Sequence, residues 1–298
     1  MPSSKIGIVG GIVPQGDFVA TTDLMQFYTI GQDTWNTVAP MPRPLNHVNA
    51  AVSDGKLYVL GGLADAEDGS LAWIAVGDSW VYDPETNEWD PIAPMPEGEE
   101  RGSAAMGVYD GKIYLAGGMK SLWLEGDRLQ DTVDTVSIYD TRTKCWLPVP
   151  EAAKKMPGRR DHAGVALVED KLYVVGGRDH GQHNVKDTVF ILDLRKVEMG
   201  WRTSRAMMPT ARGGLAAGAV GKKIYTFGGE GNPEAESGVF NQTEVYDTAT
   251  DSWERLAPMA VPRHGTYAVG VGNKVYIPGG GLELGGTRAV AHFDVFSP

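Results

Sequence analysis

Four arginines, Arg101, Arg160, Arg212 and Arg263, each stand at the same distance ahead of a glycine pair: Gly117-Gly118, Gly176-Gly177, Gly228-Gly229 and Gly279-Gly280. Ahead of Gly61-Gly62 the same slot holds Leu45. Guanidinium groups suit bidentate recognition of carboxylates, so several of them meeting at one mouth would bind an organic acid or hold an enolate. Two residues beyond each slot lie His47, Ser103, His162, Gly214 and Gly265, with Asn46, Asp161 and His264 in neighbouring positions. His162, near Arg160, and Glu230, directly after its glycine pair, are the candidates for proton transfer. Arg178, His47 and His264 join the four arginines as substrate-binding candidates, and Trp73, Trp123 and Phe240 offer aromatic surface from polar loops. Each arginine also has a structural alternative, pairing with carbonyls or acids of its own turn. For the aromatics the alternative is folding back onto their own repeat.

These residues are in phase because the chain is a repeat. Glycine pairs begin at Gly10, Gly61, Gly117, Gly176, Gly228 and Gly279, a period of roughly 50–60 residues. Tyr58, Tyr114, Tyr173, Tyr225 and Tyr276 precede five of the pairs at one spacing, and Gly7 breaks the pattern in the first. Downstream, Tyr82-Asp83 leads to Trp89, Tyr139-Asp140 to Trp146 and Tyr246-Asp247 to Trp253, while Tyr28 leads to Trp35 and Leu192-Asp193 to Trp201. The second unit reads as four short strands: an alternating NHVNAAV, a turn at Asp54-Gly55, KLYVLGG, DSWVYD, and EWDPIA after the turn PETN. The APMP that follows cannot continue a ladder. One such sheet cannot bury both faces, whereas copies stacked radially around an axis cover one another and leave only short edges.

Composition narrows the function. The charged fraction is 22% and the hydrophobic fraction 42% over 298 residues, which suits a globular protein. The formal net charge of −11 is the wrong sign for phosphate-backbone affinity, so no nucleic-acid partner is expected. The single Cys145 rules out an intrachain disulfide and fits a reducing compartment. No apolar stretch reaches the ~20 residues of a membrane span, and MPSSKIGIVGGIVPQGD lacks the pattern of a secretory signal, so a cytoplasmic location without membrane contact is expected. GIVGGIVPQG is not a dinucleotide loop, because it lacks the G-x-G-x-x-G spacing and is in phase with the other pairs.

The glycine pair, Tyr-Asp pair and spaced tryptophan, at this period and across essentially the whole chain, resemble the Kelch family. WD40 repeats are shorter, and only Trp89-Asp90 shows a Trp-Asp pair. The resemblance implies one all-β domain over residues 1–298, a six-bladed propeller of four-stranded antiparallel blades. The first unit has no inner strand and the last no tryptophan strand, so the ring is expected to close by pairing of the two termini. Galactose oxidase also carries such repeats, but its Cys-Tyr crosslink and copper histidines have no counterpart around Cys145. Asp179 and His183 echo half of the iron motif of the plant Kelch specifier proteins, but Val175 stands where that motif has Glu. No metal and no cofactor are therefore expected. The similarity to sialic acid mutarotases and to stand-alone fungal-type Kelch proteins implies a cofactor-independent isomerase, cyclase or epimerase. Its substrate would be a small molecule with an acidic or carbonyl group, held in the axial funnel. The alternative reading is a Kelch interaction scaffold that binds an acidic peptide or protein there without catalysis.

Overall fold

A computed structural model of the chain describes residues 4–15, 18–125, 129–286 and 288–298. Residues 126–128, in the polar loop that follows Trp123, lie outside the described residues. The repeat folds as the pattern demands. In the third blade Ala105–Tyr109, Lys112–Ala116, Val136–Asp140 and Cys145–Leu147 form one antiparallel sheet in that order, and the fourth and fifth blades repeat it. Asp110-Gly111 and Asp54-Gly55 link first to second strands with positive φ at both residues (49° and 69°, 50° and 78°), the tight hairpin turn whose twist matches the strands. Among the described residues the only helical pieces are two short 3-10 turns, Glu151–Ala153 and Val197–Met199. No described helix is long and apolar enough to cross a membrane. The chain is a six-bladed all-β propeller.

The repeat landmarks lie at the joints between blades. Each Tyr packs on the Trp of its neighbouring strand, with ring centroids 5.1 Å apart for Tyr82 and Trp89 and 5.2 Å for Tyr139 and Trp146. The indole N–H then reaches the preceding linker, Trp89 to the Ala39 carbonyl at 3.1 Å and Trp146 to that of Ala93 at 3.2 Å. The apolar core is correspondingly divided. One cluster combines Ala105, Tyr114 and Ile138 of the third blade with Leu172, Val174 and Phe190 of the fourth. The first glycine of a pair sits where blades touch: a Cβ on Gly228 would lie 2.1 Å from the Arg263 carbonyl oxygen, with φ at +57°. The second glycine donates across the joint, Gly118 to Arg160 at 2.7 Å and Gly229 to Arg263 at 3.0 Å.

The two ends of the chain meet, but differently from the expected strand pairing. The first blade holds Lys5–Val9, Met25–Thr29 and Thr34–Thr37, and the sixth Val269–Val271, Lys274–Pro278 and Phe293–Phe296. No ladder joins these two sheets among the described strands. They abut through rings, with Phe293 4.6 Å from Tyr28 and 5.4 Å from Trp35, over a cluster containing Ile6 and Tyr276. Aromatic edges supply directional packing here.

Candidate functional site

The four phase-matched arginines do not form a mouth. Arg101 is fully buried and donates to the carbonyls of Gly117, Glu99 and Leu115 and to the Ser137 hydroxyl. Arg212 binds the carbonyls of Gly228 and Gln242, the Thr226 hydroxyl and the buried Glu244 carboxylate. Arg263 binds the carbonyls of Gly279, Val261 and Ile277 and the Asp294 carboxylate. Arg160 bonds its neighbour's carbonyl and the Thr188 hydroxyl and lies 4.7 Å from the Phe190 ring. Each guanidinium ties the glycine-pair strand or its partner strand to the entry of the inner strand in its own blade. Burial pulls the pKa of Arg101 and of Arg212 down to about 10, in the second case against Glu244. The cationic funnel expected from them is absent, because the guanidinium groups are buried and most of their donors are bound within the blade, only Nε of Arg160 and of Arg212 being left over.

The axis is instead built by the slots on either side of those arginines. His47, Ser103, His162, Gly214 and Gly265 all adopt positive φ, from 48° to 66°. They are linked around the axis: Ser103 N–H donates to the His47 carbonyl (2.8 Å), His162 N–H to the Ser103 hydroxyl (3.0 Å), Gly214 N–H to the His162 carbonyl (2.8 Å) and Gly265 N–H to the Gly214 carbonyl (2.9 Å). Left-handed backbone is costly for histidine and persists only where the surroundings enforce it. One residue earlier, each chain forms an isolated bridge with the residue just after the glycine pair. The bridged couples are Asn46 with Leu63, Gly102 with Met119, Asp161 with Arg178, Gly213 with Glu230, and His264 with Gly281.

Those bridges bring together five of the expected site residues and one that was only a neighbour in the count, Asp161. Arg178 is buried between Asp161, 3.3 Å from its Nε, and Glu230, which accepts from Nη1. With its amide turned to satisfy both ends, Gln130 donates to Asp161 (3.2 Å) and accepts from Arg178 (3.0 Å). Thr132 donates to the other oxygen of Asp161. Glu230 also accepts from Gly285 N–H at 3.0 Å and lies 3.3 Å from His264 Nδ1, off-line for a hydrogen bond. His264 Nε2 donates to the Glu283 carbonyl at 2.7 Å. His162 Nδ1 is 2.6 Å from Asp161, His47 Nδ1 is 2.6 Å from the Asn46 amide oxygen, and the two Nε2 atoms meet at 3.0 Å, so the neutral rings face each other with bare nitrogens that can hold one added proton between them.

Burial sets the charges. It lowers the pKa of His162, with Arg178 acting the same way and Asp161 opposing, and it holds His47 well below the usual histidine range, reinforced by His162 and Arg178. Burial opposes ionisation of Asp161 and Glu230, yet His162, Arg178 and Thr132 hold the first below the usual carboxylate range, and His264 and Arg178 hold the second well below it. His264 is raised: burial works against its charge, but Glu230 and the Glu283 carbonyl outweigh it. The result is two neutral imidazoles backed by a carboxylate, next to a compensated Arg–Glu–His set.

The other half of the axis is apolar. Leu63 and Met119 hold the slots of Arg178 and Glu230, and pack with Trp73 and Leu122. The long strands Lys56–Asp65 and Ala72–Asp83 rise beyond their blade and pair with the hairpin Met119–Trp123 and Gln130–Thr132, giving a six-stranded wall. Trp73 is thereby buried, its ring 5.4 Å from that of His47. Trp123 stays 47% exposed at the wall's edge, beside an open depression of about 240 Å³ that Gln130 and His180 also line. Phe240 is buried. Tyr267 was not foreseen from the sequence. It keeps 49% of its surface accessible, yet surrounding protein pushes its phenol up to about 12, and only the nearby Ser103 hydroxyl acts the other way.

The family model described as the KLHDC2/KLHL20/DRC7 Kelch-repeats domain matches residues 1–167 and again 123–296. The Kelch-like protein terF of Aspergillus terreus is 43% identical over 284 residues, 95% of this chain and 60% of that protein. Beta-scruin of Limulus polyphemus is 26% identical over 274 residues, 90% of this chain and 28% of its own. The chain thus spans less than two thirds of the length of these curated relatives. The solved structure of YjhT superposes with a TM-score of 0.76 over 100% of this chain and 97% of that one, at 18% identity, a likeness of fold.

Proposed function

This chain belongs to the Kelch-repeat family, and from that premise we propose that its axial cluster is the acid–base centre of a cofactor-independent enzyme. The reaction would be an isomerisation, cyclisation or epimerisation of a small carbonyl or carboxylic compound. The observation that carries this reading is the pair of imidazoles 3.0 Å apart, held in left-handed backbone and oriented by Asp161. A neutral imidazole backed by a carboxylate takes a proton near neutral pH and returns it to the substrate at a second position. Nothing is consumed: the proton leaves one carbon or oxygen and arrives at another. Asp161 stabilises the imidazolium that forms in between. The Tyr267 and Ser103 hydroxyls, both neutral, are the donors available to a developing oxyanion. Arg178 and Glu230 saturate one another, so they position Asp161 and His264 and do not bind the substrate directly.

The test is proton exchange. The purified chain is incubated in D2O with a panel of carbonyl and carboxylic compounds, and deuterium incorporation is followed by NMR. Catalysed incorporation that His162→Asn abolishes is expected; if the native chain exchanges nothing across the panel, the reading fails.

One observation favours a second reading. Leu71, Trp123 and Leu129 are exposed side by side along the wall edge, at 58%, 47% and 59%. An exposed apolar row of this kind is where a protein partner would dock. Under that reading Leu129→Asp abolishes partner capture while leaving the axis untouched.

A further inference from the structure

The wall raised by the second and third blades has two faces. Opposed residues in a ladder share a face, so Trp73 and Leu122 stand together toward the axis, where Trp73 meets His47. Ala64, Ile74 and Ser121 are opposed in the same way and form a row on the face turned away from the axis. On the edge strand Gln130 and Thr132 turn inward to Asp161, so Leu129 and Asp131 turn outward with Ser121 and Trp123. An open depression lies at each end of this outer face. One, of about 290 Å³, is lined by Arg43, Asp65, Glu67, Asp68 and Ile74. The other is the depression of about 240 Å³ beside Trp123, which Leu129, Asp131 and His180 also line. Ile74 lies between them, 39% exposed.

Charge on this face is one-sided. Three carboxylates and one cation, Arg43, line the first depression, and Arg43 is bound to Glu67 at 3.3 Å and to Asp78 at 2.8 Å. Asp131 lines the second, with no lysine or arginine among the described residues that line it. Arg159 donates to His180 Nε2 at 2.9 Å, and Asp179, bonded to Nδ1 of the same ring, balances it. The sequence around the second depression, EGDRLQD from 125 to 131, carries three acids to one arginine.

We propose that this outer face docks an extended, basic segment of a protein partner, with an arginine or lysine at each end and an apolar residue at its centre. The inference rests on the reading of the wall as a partner surface and adds the partner's chemistry. Spacing sets the pattern. Neighbouring strands are about 4.8 Å apart, so the three steps from Ala64 to Asp131 span about 14 Å. In an extended peptide alternate residues face one side, and residues four apart are separated by about 13 Å. A basic–x–apolar–x–basic segment laid across the strands therefore places one cation among Asp65, Glu67 and Asp68 and its central side chain on Ile74. The other cation lies against the Trp123 indole beside Asp131. A second copy of the chain is a poor occupant, because two such faces would bring carboxylates to carboxylates.

The experiment measures binding of three labelled peptides, GRLVLRG, GQLVLQG and GELVLEG, to the purified full chain by fluorescence anisotropy, with light scattering to fix its mass. At about 0.01 M salt GRLVLRG should bind about tenfold tighter than GQLVLQG, and GELVLEG more weakly than either. At about 1 M salt the advantage should shrink below about twofold, because the screening length falls from about 30 Å to about 3 Å. Trp123→Ala should weaken GRLVLRG and GQLVLQG together. The double variant Asp68→Asn with Asp131→Asn, in which asparagine can keep the turn bond to Ser70 N–H, should cut the advantage of GRLVLRG to about threefold or less. Equal binding of GRLVLRG and GQLVLQG, or an undiminished advantage in the double variant, overturns the inference; the wall then stands as a docking surface without a charge preference. If no peptide binds, or if Trp123→Ala changes nothing, both the inference and the reading of the wall fall. A chain that is dimeric and becomes monomeric with Trp123→Ala also overturns the inference, since a second copy then holds the face. None of these readouts depends on catalysis at the histidine pair.

Discussion

Blades four to six and blades one to three offer the axis the same backbone slots and fill them with opposite chemistry. Asp161, Arg178, Glu230 and His264 stand where the earlier repeats place Asn46, Leu63, Gly102 and Met119. On the apolar side the slots are stabilised by transfer from water and close packing, which need no exact partner. On the charged side every group depends on the next, because a buried charge is tolerable only when compensated. The lesson is that the repeat specifies a position, and the residue placed there decides whether that position becomes core or network. His47 and His162 sit at the seam between the two halves, with Trp73 on one side and Asp161 on the other.

The contrast can be broken most severely on the charged side. Arg178→Leu leaves Asp161 and Glu230 buried without their shared cation and should cost about 3–5 kcal/mol in denaturant unfolding. Leu63→Ala in the matching apolar slot opens a cavity and should cost about 2–4 kcal/mol, without altering any titration. If the two losses show the same pH dependence, the halves are not distinct. His162→Asn lies at the seam. Asparagine accepts left-handed backbone readily, so stability should change by less than about 1 kcal/mol while deuterium exchange falls at least ~100-fold.

Acidity sharpens the comparison further. His47 and His162 have folded pKa values below the unfolded one, so the stability they contribute is complete above about pH 6.5 and is lost as the pH falls toward the folded values. His264 runs the other way: its folded pKa is raised, so its contribution is complete below about pH 6.5 and disappears as the pH rises through the folded value. Denaturation series from pH 5 to 8 on the native chain, His162→Asn and His264→Gln should separate the two slopes, each at most about 1.4 kcal/mol per pH unit per group. The smallest expected effect is that of Trp123→Ala at the exposed wall edge, within about 0.5 kcal/mol.

Glu230, Arg178, His162, His47 and His264 could be gathered from phase alone, since residues equally spaced from a glycine pair occupy equivalent places on a ring. The same count misled for Arg101, Arg160, Arg212 and Arg263. Equal phase places their Cα atoms around the axis but does not say whether a long side chain points toward it or back along its own blade, and unsatisfied carbonyls drew the guanidinium groups inward. Asp161 was visible only as a neighbour in the count, although the bridge that pairs its position with that of Arg178 recurs at the same phase in the other repeats. Gln130 and Thr132 come from a long loop that carries no repeat phase, and nothing in the sequence places them beside Asp161. Tyr267 stands in a slot that holds Ala105, Gly164 and Ala216 in other repeats, and that mismatch is a signal the sequence reading passed over.

What the amino-acid sequence determined unaided is everything that repetition carries: the propeller, the number of its blades, the turns, the Tyr–Trp joints and the ring on which the histidines stand. These follow from local rules applied six times over, and each copy corroborates the others. What only the tertiary structure decided is where copies differ: the direction of each arginine, the zipping of two loops into a wall, and the choice of aromatic packing between the first and sixth blades. Those outcomes turn on which donor finds which acceptor across segments far apart in the chain, a competition that no single repeat contains.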